Sequence, residues 1–391
     1  MPFYSSDKAV QMENVKGYGF DMAIKMRMRE NIEKAILRTA EKILPCTTFE
    51  RLLIERRRRI NKVTGYYPQA VFFSKKRSKK KYCVVRFTTP TFALMAAGIQ
   101  YVFCYYQLVE RGYIPLLDLE GIYTYKQGQL GKNNVWDMLF KQPISVREAT
   151  DQPYVLATGD FFSYSDNPQI CMDLNNDEKD HFIHVKKDNY REYYAKAKKY
   201  TDPIWQVKDE VIEELDAEIW NRVKDYRVLG VFLREDFSRD VHHQNKADEI
   251  VYSNHPLLPG VKEIIAIIKD ELLEWKYDFI FVSTMYIDSL KLFQEEFGNK
   301  VICLKRERRN LNDIPPTNFD SSERKMYEEE IKNQSSYKEK NKTYLKEMVA
   351  LSRCSYFVGG PSSGAAAVLT MNGGKYDDIY ILEDVRKIKR Y

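Results

Sequence analysis

Three short stretches carry residue types that could handle an anionic group, and each follows an apolar run. The first is Ser362–Ser363–Gly364, which sits behind Tyr356–Phe357–Val358 and Gly359–Gly360–Pro361 and ahead of Ala365–Ala366–Ala367–Val368–Leu369. Apolar run, glycine-rich break and apolar run read as strand, turn and buried helix. Serine and glycine at a helix start have two readings. They cap the helix, or their hydroxyls and backbone N–H groups seat an anion. The second stretch is Gly230–Val231–Phe232–Leu233–Arg234–Glu235–Asp236, a strand-like run ending in an arginine and two acids. A guanidinium forks onto two phosphate oxygens at once, which suits it to a diphosphate. The third is Phe281–Val282–Ser283–Thr284–Met285–Tyr286, again a buried strand ending in hydroxyls.

These residues need a scaffold, and the chain has the material for one. It is 391 residues long with 44% hydrophobic residues, enough for two ordinary domains. Cys83–Phe87, the apolar helix Phe92–Glu110 and Ile114–Asp118 make a β–α–β unit. Residues 119–170 read as loop-rich, followed by a polar helical stretch over 186–226 that breaks at Asp202–Pro203. A second series begins at Val228–Leu233. It continues through helix Val261–Leu273, strand Phe279–Ser283, helix Leu290–Phe297 and strand Lys300–Leu304. Residues 306–340 read as a polar excursion over the surface, and Tyr344–Ser352 as the helix leading into the serine hinge. The expected architecture is α/β, with two Rossmann-like domains over 82–225 and 226–391 facing a cleft. A basic, helical extension over 1–81 precedes them. In such sheets ligands bind beyond the carboxyl ends of the strands, which is where all three stretches fall.

Charge and cysteine usage narrow the classes. Charged residues are 30% and mixed in sign, and the formal net charge is only +6. That gives no general case for nucleic acid but suits a partner bearing phosphate. Two basic clusters, Arg56–Arg59 and Lys75–Lys81, read either as solvated surface or as an anchor to an anionic membrane surface. The six cysteines form no CxxC pair, and Cys83, Cys104, Cys303 and Cys354 lie in apolar runs. They read as small buried hydrophobes in a reducing compartment. The first 25 residues lack the apolar block of a signal peptide, and no run of 18 uncharged apolar residues occurs. A soluble, cytoplasmic protein is expected. His242–His243 lacks further ligands, and Asp118–Leu119–Glu120 is a poor approximation to the carboxylate motif of metal-dependent sugar-nucleotide enzymes, so no metal is expected.

The order of these stretches resembles the superfamily of GDP-fucose-dependent fucosyltransferases, including the α-1,6 and nodulation enzymes, and their bacterial surface-polysaccharide relatives. Gly230–Val231–Phe232–Leu233–Arg234 is similar to the family's strand ending in arginine, and Asn254–His255–Pro256 to its His-Pro helix start. Val282–Ser283–Thr284 is similar to a family strand end, and Leu351–Ser352 through Ser362–Ser363 to its strand leading into paired serines. Arg111–Pro115, Asn134–Trp136 and Gln142–Pro143 extend the likeness over about residues 82–385. The resemblance implies a GT-B fold and an inverting, metal-independent transferase, with a nucleotide-sugar donor, GDP-fucose, and a glycan acceptor. No cofactor beyond the donor is implied, and no nucleic acid partner. On that analogy Arg234 grips the β-phosphate while Ser362, Ser363 and Gly364 hold the phosphates. His255, Thr284, Tyr286 and Glu347 border the nucleotide, and a carboxylate deprotonates the acceptor. Glu249 is the choice for that base, with Asp248 and Asp240 as rivals. Phe232 replaces a family histidine, Glu235 adds negative charge beside Arg234, and Met285–Tyr286 replaces an acidic pair. Those departures leave an alternative, a catalytically degenerate member that binds a glycan or a partner protein.

Overall fold

The computed structural model describes residues 71–73, 82–86, 94–110, 112–119, 131, 134–149, 151–152, 154–158, 170, 173–174, 185, 187–235, 256–310 and 334–385. The expected α/β character is present as two sheets flanked by helices. Both basic clusters, Glu249, His255 and the His242–His243 pair lie outside the described residues.

The first sheet contains β1 (Val71–Phe73), β2 (Tyr82–Arg86), β3 (Ile114–Leu117) and β4 (Tyr154–Thr158), in the order β1-β4-β2-β3. β2 pairs in parallel with both β3 and β4, and β1 runs antiparallel to β4. Helix α1 (Leu94–Glu110) makes the crossover from β2 to β3. Its sequence is apolar on nearly every side, and twelve of its residues are buried. Two of these strands depart from expectation. β4 lies within the stretch read as loop, where short apolar runs are interrupted by polar residues. β1 comes from within 1–81.

After the short helices α2 (Val135–Leu139) and α3 (Val146–Ala149), the chain forms α4 (Tyr190–Thr201) and α5 (Asp209–Glu218). The expected break at Asp202 separates them. The second sheet then assembles from β5 (Val228–Phe232), α6 (Val261–Asp270), β6 (Phe279–Ser283), α7 (Ile287–Phe297) and β7 (Val301–Ile302). It is completed by α8 (Gln334–Arg353), β8 (Tyr356–Gly359), α9 (Ser363–Asn372) and β9 (Asp378–Ile381). All five strands are parallel, in the order β7-β6-β5-β8-β9. The central strands β5, β6 and β8 are apolar runs covered on both faces, as parallel strands must be. α8 starts ten residues before the expected helix, so 334–340 belongs to a helix and not to the polar excursion.

The two faces of the second sheet bury different neighbours. Leu229, Val231 and Leu233 face α6 and α7. Val228 and Phe232 face α8 and α9, and this second cluster continues without a break into α1, Trp136 and Trp205 of the first half. The two sheets therefore share a core. α9 is the element between them: its Ala365–Ala366–Ala367 lets α1 and α8 approach closely, and Thr370 accepts a hydrogen bond from the Trp205 indole at 3.2 Å. Cys83, Cys104 and Cys354 are buried free thiols in this core. No helix among the described residues is long and apolar enough to cross a membrane.

Candidate functional site

The strand order fixes where the site can be. From β5 the chain winds outward to β6 and β7, then returns to place β8 on the other side of β5. At that reversal the loops after β5 and β8 diverge to opposite faces and leave a crevice at their carboxyl ends. Phe232 of β5 is in register with Gly359 of β8. Leu233–Arg234 and Gly360–Ser363 consequently leave the sheet side by side.

The β8 loop gives its two serines different positions. Ser362 is the N-cap of α9, and its hydroxyl accepts from the Ala365 N–H at 3.1 Å. It thus satisfies one of the helix's unpaired first-turn donors. Ser363 and Gly364 supply the first two helical positions, where N–H groups have no intrahelical acceptor and the positive end of the helix dipole emerges. Gly364 has no room for a side chain. A Cβ there would lie 2.7 Å from both the Phe232 ring tip and the Tyr344 hydroxyl. Phe232, which departs from the family histidine, is therefore a packing residue that shapes the base of this loop.

Tyr344 connects the β8 loop to the charges around it. Burial pushes its hydroxyl up to about 12. Arg234 opposes that shift, Glu347 adds to it and Arg306 opposes it. The hydroxyl therefore keeps its proton at neutral pH and stays a donor. Arg234, partly buried, lies close enough to act on the group that touches the start of α9.

The other residues foreseen at the nucleotide lie beneath this rim. Thr284 is 1% exposed. Its hydroxyl donates to the Glu235 carboxylate and accepts from the Tyr286 N–H at 3.0 Å. Glu235, 2% exposed, is thereby drawn toward the β6 end. Tyr286 is buried at the start of α7, and its backbone bridges to Arg309 beyond β7. Glu347 is 1% exposed, with Oε2 accepting from Ser283 Oγ at 3.1 Å and from Arg306 Nη1 at 2.9 Å. Burial raises its pKa, while Arg306, the Ser283 hydrogen bond and Arg308 hold it down less strongly. Among the described residues its Oε1 has no hydrogen-bond partner. Arg234, Ser362, Ser363, Gly364, Thr284 and Glu347 are thus brought to one end of the sheet.

Sequence reading passed over Arg306 and Arg308, which follow β7 in a run of charges. Arg308 is structural: its guanidinium donates to the carbonyls of Leu304 at 3.1 Å and Arg306 at 3.5 Å. In the first half, the carboxyl ends of β2 and β3 are closed by a buried pair, Arg86–Asp118, at 2.5 Å. Asp118 is therefore committed to an arginine. A hollow of about 420 Å³ bordered by Arg227, Trp275 and Tyr277 opens at the opposite, amino ends of β5 and β6. It has no share in the rim described above.

No family model and no curated protein matches the chain. The chain is similar to fucosyltransferases of known structure. Fucosyltransferase NodZ from Bradyrhizobium is 13% identical over 74% of this chain and 92% of its own, with a TM-score of 0.40. A NodZ α-1,6-fucosyltransferase soaked with GDP-fucose is 12% identical over 75% and 92%, also at 0.40. A mutant of Arabidopsis thaliana FUT1 in complex with GDP is 10% identical over 89% and 76%, at 0.41. At such identities residue roles do not pass from one chain to another.

Proposed function

We propose that the protein is a glycosyltransferase of GT-B type that takes a nucleotide-diphosphate sugar, GDP-fucose, and transfers the sugar to a glycan in surface-polysaccharide synthesis. One observation carries this reading. The register of β5 with β8 sets Arg234 beside the amino end of α9 at the point where the sheet reverses direction. A guanidinium, two first-turn N–H groups and a protonated tyrosine hydroxyl form a donor set suited to a diphosphate.

In the reaction the bond between the sugar's anomeric carbon and the β-phosphate oxygen breaks as the acceptor hydroxyl attacks from the opposite face, so the configuration inverts. Charge grows on the departing diphosphate. Arg234 and the Ser363 and Gly364 N–H groups oppose that growth most strongly in the transition state. These groups supply the positive charge that a metal ion would otherwise provide, and the proposed mechanism uses no metal. The sugar develops oxocarbenium character, and a carboxylate removes the acceptor's proton. Glu249 is assigned that role on sequence grounds. His255, Thr284 and Tyr286 belong to the nucleotide side, with Thr284 holding Glu235 away from the phosphates through its hydroxyl.

Calorimetry with GDP, UDP and CDP tests the reading. Micromolar affinity for one of them, and loss of that affinity in a folded Arg234→Ala variant, are expected. A wild-type protein that binds none of the three refutes it, and unchanged binding by the variant removes Arg234 from the site.

A further inference from the structure

We infer that Arg306 is a second phosphate-binding cation of this site, presented by Glu347 acting as a positioning residue. This rests on the nucleotide-sugar reading and adds to it a residue from a different strand.

Arg306 follows β7, two strands away from Arg234 and at the same, carboxyl end of the sheet. Its side chain is 10% exposed, and a long cationic side chain is held at such burial only when something fixes it. Glu347 does so. One of its oxygens takes Arg306 Nη1 at 2.9 Å and the Ser283 hydroxyl at 3.1 Å. Ser283 ends β6, so this carboxylate ties α8, the end of β6 and the segment after β7 into one unit. Only one N–H of the guanidinium is committed. Among the described residues no acceptor takes the rest of the fork.

The direction of the cluster follows from helix geometry. Tyr344 lies three residues before Glu347 on α8, so the two side chains share a face. The Tyr344 hydroxyl reaches the start of α9, 2.7 Å from where a Cβ on Gly364 would lie. Arg234 and Arg306 both act on that hydroxyl. Arg306, held by Glu347, thus lies on the face of α8 that sends the Tyr344 hydroxyl to the helix start. A diphosphate carries more negative charge than one arginine balances, and the leaving group gains more as the sugar departs. Glu347 carries a mixed burden: it aims Arg306 but adds a negative charge, and burial favours its neutral form.

The experiment compares GDP with guanosine, which shares the base and ribose but lacks phosphate. Titrations use wild type, Arg306→Gln, Arg306→Lys, Glu347→Gln and the pair Arg306→Met with Glu347→Gln, each with its melting temperature recorded. The expected result is a 10- to 100-fold loss of GDP affinity in Arg306→Gln with guanosine unchanged, and partial recovery in Arg306→Lys. Glu347→Gln should lose several-fold for GDP alone. The paired variant should be no weaker than Arg306→Gln, because Glu347 acts through Arg306. It removes both charges together, which folded proteins tolerate better than one orphaned partner, so it stands in if a single variant does not fold. Wild-type-like GDP binding by folded Arg306 variants, alongside loss in Arg234→Ala, overturns the inference and leaves the proposed function intact. Equal loss for GDP and guanosine also overturns it, making the pair structural. Failure of the wild type to bind GDP refutes both.

Discussion

Adding one methyl group to Gly364 tests the packing of the proposed anion seat. In a bare helix Gly→Ala stabilises by up to about 1 kcal/mol. Here the new Cβ would meet the Phe232 ring tip and the Tyr344 hydroxyl, both at 2.7 Å, where ordinary contact begins near 3.4 Å. Phe232 is buried between β5 and α9, and neither ring can shorten or bend. One ring or the start of α9 must therefore move by some tenths of an ångström. Overpacking of this kind costs about 1–3 kcal/mol, so the propensity gain is outweighed and the fold loses roughly 1 kcal/mol. Binding should suffer as well. The displaced groups are the Tyr344 hydroxyl and the first-turn N–H groups, and a tenfold loss of GDP affinity is about 1.4 kcal/mol. Urea denaturation and GDP calorimetry on Gly364→Ala read the two effects. Gly112→Ala is the control: its glycine has φ +77° with open space around it, so it bears backbone strain without steric contact. A Gly364→Ala protein as stable as wild type with unchanged GDP affinity would refute the reasoning. Equal loss of GDP binding in the control would show a global effect.

Two further outcomes are expected. Gly98→Ala in α1 places a Cβ 2.2 Å and 2.4 Å from two ring atoms of Trp205 and 2.9 Å from Trp136. Two buried indoles cannot yield, so a loss of about 3 kcal/mol is expected by chemical denaturation, despite the better helix former. Glu347→Gln should change how stability depends on pH. The groups facing Glu347 are Arg306, Arg308, Ser283 and Tyr344, and the net effect of its surroundings is a raised pKa. A carboxyl raised in the folded state contributes stability that is fully present below its unfolded value. That contribution is lost as pH rises through the folded value. Wild type should therefore lose ground against Glu347→Gln as pH rises above about 4, levelling off once the folded carboxyl has ionised. Parallel stability curves for the two proteins would contradict this.

How far the sequence reveals this architecture depends on burial. β5, β6 and β8 are covered on both faces, so each stands out as an unbroken apolar run whose bounds are nearly those expected. β4 was missed because its five residues lie amid polar punctuation. β7 is only half-buried and reduces to two residues where five were expected. α8 was shortened because its first ten residues are polar, so no apolar spacing marks them as helix. The shared core was not legible at all. It depends on Gly98, Trp205 and Thr370 meeting from distant parts of the chain.

The site divides along the same line. Arg234 and Ser362–Gly364 stand out because a strand end announces itself locally, and the sheet order then brings two such ends together. Thr284 and Glu347 lie at that end too, and both are occupied within the protein, Thr284 with Glu235 and Glu347 with Arg306. Arg306 sits in the run Lys305–Arg306–Glu307–Arg308–Arg309, where four basic residues around one acid look like solvated surface. What separates it from that reading is a carboxylate 41 residues away on another helix, buried and unable to hold its charge cheaply without a cation. That pairing has a physical consequence for the proposed anion seat. On the proposed reading, incoming phosphate takes the donors of the guanidinium that Glu347 leaves open, so the carboxylate aims the fork without closing it. The aim of Arg306 therefore depends on Ser283 at the end of β6 and Glu347 on α8, a dependence no single stretch of the chain contains.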